Sequence, residues 1–224
     1  MKGGNAGMLA SLIITVASVI AMLAAGHLGY GSAAGVLKMI ASCGFIALAI
    51  CAGGFQSAYG WAILAGLFFS WWGDLFLISG SSNLFLAGLI AFFLGHVAYC
   101  GAFLVHGISI GWTGIAILVL AGPVVGILFW LNSSLGDMRI PVYGYIVVIT
   151  LMVALGTGAV GRGGTLLILI GALLFYVSDV CVARQRFIAD DYANRLIGLP
   201  LYYGGQVVLA WTIKLVNDRA ETLS

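Results

Sequence analysis

Two aspartates stand where a charge is costly. Asp74 sits in Ser70-Trp71-Trp72-Gly73-Asp74-Leu75-Phe76-Leu77 and Asp179 in Phe175-Tyr176-Val177-Ser178-Asp179, each inside a long apolar run. A charged side chain at the centre of a bilayer costs about 2.5–3.5 kcal/mol on insertion scales, so an acid kept there has a partner or a task. Two carboxyl groups in one apolar site resist ionising together: one keeps a proton while the other is an anion. Such a pair can protonate a substrate with one member and activate water with the other. The structural alternative is that each aspartate pairs with Lys38 or a tyrosine and ties helices together.

Other polar residues fall within reach of this chemistry. Lys38 lies well inside an apolar run, either as counter-ion to an aspartate or snorkelling toward a phosphate head group. His96 and Tyr99, at i and i+3, share one helical face; His96 is read as a proton relay or as a hydrogen-bonded packing residue. Tyr203 and Gln206 have the same spacing and could orient a water or a substrate oxygen, or bond between helices. Tyr145 completes the set. Arg184, Arg186 and Arg195 flank the loop after Asp179 and could attract an anionic lipid head, or form a solvated basic loop; Asp190 and Asp191 beside them argue against a simple phosphate funnel. No metal site is expected, because the three histidines are far apart and Cys43, Cys51, Cys100 and Cys181 lack ligand spacing.

Two motif matches lack their structural context. Gly107-Ile108-Ser109-Ile110-Gly111 fits G-x-S-x-G, which needs a strand–turn–helix elbow that a short loop between spans cannot supply. Gly156 to Gly161 fits G-x-G-x-x-G but follows no strand.

The elements that hold these residues are set by composition. Of 224 residues, 62% are hydrophobic and 7% charged, against about 25% charged in soluble domains. The chain therefore reads as an all-α polytopic membrane protein with the lipid bilayer as its solvent. It has no basic patch for nucleic acid. The N-terminal apolar run imitates a secretory signal but is too long for one, and reads as the first span. At about 20 residues per span the chain divides into eight helices, roughly 8–26, 32–51, 59–79, 83–105, 112–131, 140–160, 164–183 and 195–216. The runs lack the alternation of barrel strands. Gly31-xxx-Gly35 and Gly122-xxx-Gly126 are expected to be helix contacts. Lys and Arg divide evenly between the two sides, so charge does not orient the bundle.

Depth is more informative. Asp74 lies about five residues before the end of span 3, roughly 7–8 Å in at 1.5 Å per residue, and Asp179 lies similarly in span 7. Lys38, Tyr145, Tyr203 and Gln206 fall in the same leaflet, opposite the termini, and His96 lies deeper. Asp74 and Asp179 are 105 residues and four spans apart, which predicts a parallel four-plus-four pseudo-repeat; the same offset carries Lys38 onto Tyr143.

Taken in order, Ser70–Leu77, Phe93-Leu-Gly-His96-Val-Ala-Tyr99, Arg139-Ile-Pro-Val-Tyr-Gly-Tyr145 with Met152, Gly171–Asp179 and Tyr203-Gly-Gly-Gln206 resemble the YhhN family, from Lys38 to Gln206. One departure is that Met39 follows Lys38 where the family usually has proline. The resemblance implies an eight-helix protein of the bacterial cytoplasmic membrane that uses no cofactor. It also implies hydrolysis of the vinyl-ether bond of a lysoplasmalogen, giving a fatty aldehyde and glycerophosphoethanolamine or glycerophosphocholine, with Asp74 and Asp179 as the family's two intramembrane aspartates. The competing expectation is a proton-coupled lipid or small-molecule transporter that uses Lys38, Asp74 and Asp179 as its relay.

Overall fold

The computed structural model describes residues 2–223, and these form eight α-helices without a strand. They are α1 (Lys2–His27), α2 (Gly31–Cys51), α3 (Ala58–Phe76), α4 (Ser82–His106), α5 (Ile110–Asn132), α6 (Arg139–Gly161), α7 (Leu166–Phe187) and α8 (Tyr192–Leu223), with a 3-10 turn at Gly136–Met138 before α6. Seven are long and apolar enough to cross a membrane. The exception is α3, whose 19 residues include Trp61, Trp71, Trp72 and Asp74. These residues dilute its hydropathy; α3 packs against α2, α4 and α8 and leaves Trp61 and Phe68 exposed.

Local chemistry fixes the helix ends. Ser57 and Ser81 cap α3 and α4 by accepting the N–H groups of Gly60 and Leu84, at 3.1 and 3.3 Å. Thr165 caps α7. The third span ends at Phe76 rather than residue 79. The last helix runs from Tyr192 to Leu223, beyond the expected 195–216; the Tyr192 hydroxyl bonds to the Leu23 carbonyl at its start, and Asn217 and Arg219 bond to the carbonyls of Gly53 and Gly163 near its end.

Six helices close a ring in the order α2, α3, α4, α6, α7, α8, with α8 returning to α2. α1 stands outside against α2 and α8, and α5 stands outside against α6. The two halves therefore pack alike: an outer helix on the second, a tight hairpin of the third and fourth, and a fourth helix that meets the other half's second. The hairpins cross at equivalent glycines. A Cβ on Gly95 would come within 3.1 Å of the Gly66 carbonyl oxygen, and one on Gly205 within 3.0 Å of that of Gly171. Gly66 and Gly171 are separated by the same 105 residues as the aspartates.

The expected glycine contacts need correction. A methyl added at Gly122, Gly126 or Gly31 would meet nothing within 4 Å, while Gly35 alone of the four has a neighbour, Ile78 at 3.2 Å. α5 packs on α6 by another face and turns Leu118 and Phe129 outward, 78% and 81% exposed. The glycines of the G-x-G-x-x-G match serve packing instead. A Cβ on Gly158 or Gly161 would strike Thr113 or Trp112 of α5. Ser109 of the other match precedes α5, its N–H bonded to the Gly158 carbonyl at 2.9 Å.

Candidate functional site

Asp74, 1% exposed near the end of α3, is surrounded by donors. Lys38 Nζ of α2 lies 3.1 Å from Oδ1. Ser42 Oγ, one turn along α2, donates to Oδ2 at 2.6 Å, and the Tyr202 hydroxyl of α8 donates to the same oxygen at 2.8 Å. Tyr203 braces this group from behind, donating to the Lys38 carbonyl at 3.1 Å and lying 3.2 Å from Ser42 Oγ. An ammonium and two hydroxyls converging on one carboxyl suit its anionic form.

Asp179 on α7 has a different shell. The Tyr145 hydroxyl of α6 donates to Oδ2 at 2.7 Å, and His96 Nε2 of α4 lies 3.5 Å from the same oxygen. His96 is fully buried, and its Nδ1 is 2.7 Å from the Phe92 carbonyl one turn back. A carbonyl only accepts, so Nδ1 carries the hydrogen, and in a neutral ring the bare Nε2 faces Asp179. Two lone pairs would then oppose each other. Among the described residues Nε2 has no hydrogen-bond partner, and a proton on the carboxyl or on the ring would let the two groups share it. Phe175 and Tyr145 pack on the His96 ring, with centroids 4.5 and 5.2 Å from its own.

Both aspartates line one cavity of about 740 Å³, with Lys38, Phe92, Tyr145 and Tyr202. Its mouth is formed by the α1–α2, α3–α4 and α7–α8 connections, where Gly29, Ser79 and Asp190 line it, on the side opposite the termini. Of the residues singled out in the sequence, Lys38, Asp74, Tyr145 and Asp179 face the cavity, while His96 and Tyr203 support them from behind. Tyr99 and Gln206 lie deeper and bond to each other at 2.5 Å. Beside them, Ser70 Oγ and Gln206 Nε2 are buried without a hydrogen-bond partner among the described residues.

Ser42 and Tyr202 are not singled out by the sequence. The signal was present in helical spacing, since Ser42 is four residues after Lys38 and Tyr202 four before Gln206. At the mouth, Arg184 is held by Asp191 and Asn194, at 2.7 and 2.6 Å, and keeps the Asp191 carboxyl below its usual range. Arg186 and Arg195 line the cavity.

These features define an α-helical, multi-pass integral membrane protein with one cavity lined by two carboxyl groups. The sequence profile of the YhhN family matches residues 33–213. The chain belongs to the YhhN family. It is 30% identical over 154 residues to lysoplasmalogenase TMEM86A of Bos taurus, covering 66% of this chain and 63% of that protein. The TMEM86A of Homo sapiens gives 30% over 155 residues, with the same coverage. Lysoplasmalogenase TMEM86B of Sus scrofa gives 30% over 131 residues, 58% of this chain and 54% of the relative. The chain thus spans somewhat under two thirds of the length of these curated relatives. No solved structure matches it.

Proposed function

We propose that the chain is a lysoplasmalogenase-like hydrolase of the cytoplasmic membrane, cleaving the vinyl-ether bond of a lysophospholipid by acid–base catalysis. The observation that carries this reading is the contrast between two carboxyl groups on one cavity. Asp74 is wrapped in donors, whereas Asp179 lies 3.5 Å from a buried histidine nitrogen that has no hydrogen-bond partner among the described residues, a contact that a shared proton would satisfy. The names of the relatives supply the substrate class.

In this reading the Asp179–His96 pair is the acid. Its proton goes to the alkene carbon distal to the ether oxygen, giving an oxocarbenium ion that the Asp74 anion stabilises. Asp74 Oδ1, with Lys38 as its one donor, keeps a lone pair free to take a proton from water as that water adds to the cation. As the hemiacetal collapses, the glycerol oxygen leaves with that proton, and the hemiacetal hydroxyl proton restores the Asp179–His96 pair. One water is consumed and nothing is oxidised or reduced. Tyr145 holds Asp179 in place, and the apolar wall at Phe92, Leu131 and Ile149 receives the alkenyl chain.

The test is aldehyde release from a purified lysoplasmalogen by the protein in detergent. Stoichiometric fatty aldehyde from the wild type, lost in both Asp74→Asn and Asp179→Asn, is the expected result. Turnover near wild type in either folded variant would sink the paired-carboxylate mechanism. Transport cannot be scored in detergent, so product formation there also separates the enzyme from a transporter.

A further inference from the structure

We infer that Arg186 binds the head-group phosphodiester of the lipid substrate and so sets the depth at which the vinyl ether meets Asp179; this rests on the lipid-hydrolase reading above. Three arginines flank the mouth, and they differ in what they already hold. Arg184 is consumed by Asp191 and Asn194. Arg195 faces Asp190 across 4.0 Å. Arg186 lines the cavity, and among the described residues it has no carboxylate partner. Its one hydrogen bond is from Nη2 to Ser82 Oγ at 3.0 Å, and its guanidinium carbon lies 4.6 Å from the centroid of the Phe85 ring.

That geometry preorganises a planar cation. Contact with the face of Phe85 holds the guanidinium in place, and the bond to Ser82 uses one of its five N–H donors. The remaining edge suits the two anionic oxygens of a phosphodiester, which arginine binds as a fork. Asp190, also on the rim, disfavours a doubly charged phosphate monoester and suits a phosphate that carries its own ammonium group.

Position along α7 adds a length argument. Arg186 follows Asp179 by seven residues, two helical turns, so both leave the same face with about 10.5 Å of rise between them. A glycerol backbone running from a vinyl-ether carbon to a phosphorus fills that interval once a hydrogen-bonded contact is allowed at each end. A phosphate held at Arg186 therefore stops the lipid with its vinyl ether level with the carboxyl pair, and only the apolar chain passes deeper.

The test uses binding, so it does not depend on turnover. Dissociation constants of the saturated ether analogue 1-O-alkyl-glycerophosphocholine and of the phosphate-free 1-O-alkylglycerol are measured calorimetrically for the full chain, Arg186→Gln and Arg186→Lys. The expected result is about a tenfold weakening of the phosphocholine lipid in Arg186→Gln, the loss of one charge-assisted contact at an exposed rim, with partial recovery in Arg186→Lys. The alkylglycerol should already bind the wild type about tenfold more weakly, and removing the guanidinium should cost it nothing further. Equal binding of the phosphocholine lipid by wild type and Arg186→Gln overturns the inference, as does an equal loss for both lipids, which would mark a structural role. Displacement of the lipid by millimolar inorganic phosphate would assign the guanidinium to free phosphate and overturn the lipid role. Aldehyde release by the wild type, scored separately, decides whether the hydrolase reading itself stands.

Discussion

In the proposed reaction the chemistry at Asp179 turns on one proton shared with His96. If that proton drives catalysis, the rate of aldehyde release falls as pH rises and the Asp179–His96 pair loses it; His96→Gln, which removes the partner nitrogen, shifts the position of that fall. A pH profile identical in the variant would argue that His96 only packs. Removal of either carboxyl should lower kcat by about 10²–10⁴-fold, the range for a lost acid or base. Lys38 offers a stability test. The Lys38–Asp74 pair is nearly enclosed, 15% and 2% exposed, and breaking a buried pair from one side costs on the order of 3 kcal/mol because a charge is left unmatched. Lys38→Met should therefore lower the thermal midpoint in detergent, while Lys38→Met with Asp74→Asn should recover much of it. Strict additivity would deny the pairing.

At the scale of the elements, small residues decide which helices touch. A methyl on Gly66 would strike the Tyr99 ring, and one on Gly171 would lie 2.8 Å from Leu209. Gly66→Ala and Gly171→Ala should each destabilise by about 1–3 kcal/mol through overpacking. Gly122→Ala and Gly126→Ala should leave the melting curve within about 0.5 kcal/mol of wild type. A large loss at Gly122 would mean that its face of α5 has a partner after all. Because the glycine crossings in α3–α4 and α7–α8 are equivalent, the two hairpins bring their aspartates to matching heights. Each aspartate is then held by the second helix of its own half and the fourth helix of the other: Lys38 and Tyr202 for Asp74, Tyr145 and His96 for Asp179. The offset that aligns the aspartates carries Lys38 to Tyr143, yet the residue that fills its role is Tyr145. Tyr143 instead bonds to Asn132. The difference at these supporting positions gives Asp74 three donors and leaves Asp179 with a tyrosine and a histidine nitrogen.

For the whole molecule, the connections that line the cavity lie at the end away from the termini. Ser79 lines its mouth and Thr222 lies exposed near the C-terminus. Ser79→Cys and Thr222→Cys should react with an impermeant thiol reagent from opposite faces of the membrane, and an alkyl lysophospholipid should protect the first alone. Labelling of both from one face would contradict the eight-helix topology. The helix number and the placing of both aspartates toward the end of the bundle away from the termini were legible in the sequence, because apolar length and axial position are local properties, fixed by a rise of about 1.5 Å per residue. Resemblance in short motifs also reached the family. What the tertiary structure alone decided is the pairing: Lys38, Ser42 and Tyr202 to Asp74, Tyr145 and His96 to Asp179, and the open space beside Gly122 and Gly126 among the described residues. Those outcomes depend on how far each helix is rotated about its own axis. That rotation is set by many weak contacts with helices distant in the chain, and no single stretch of sequence encodes it.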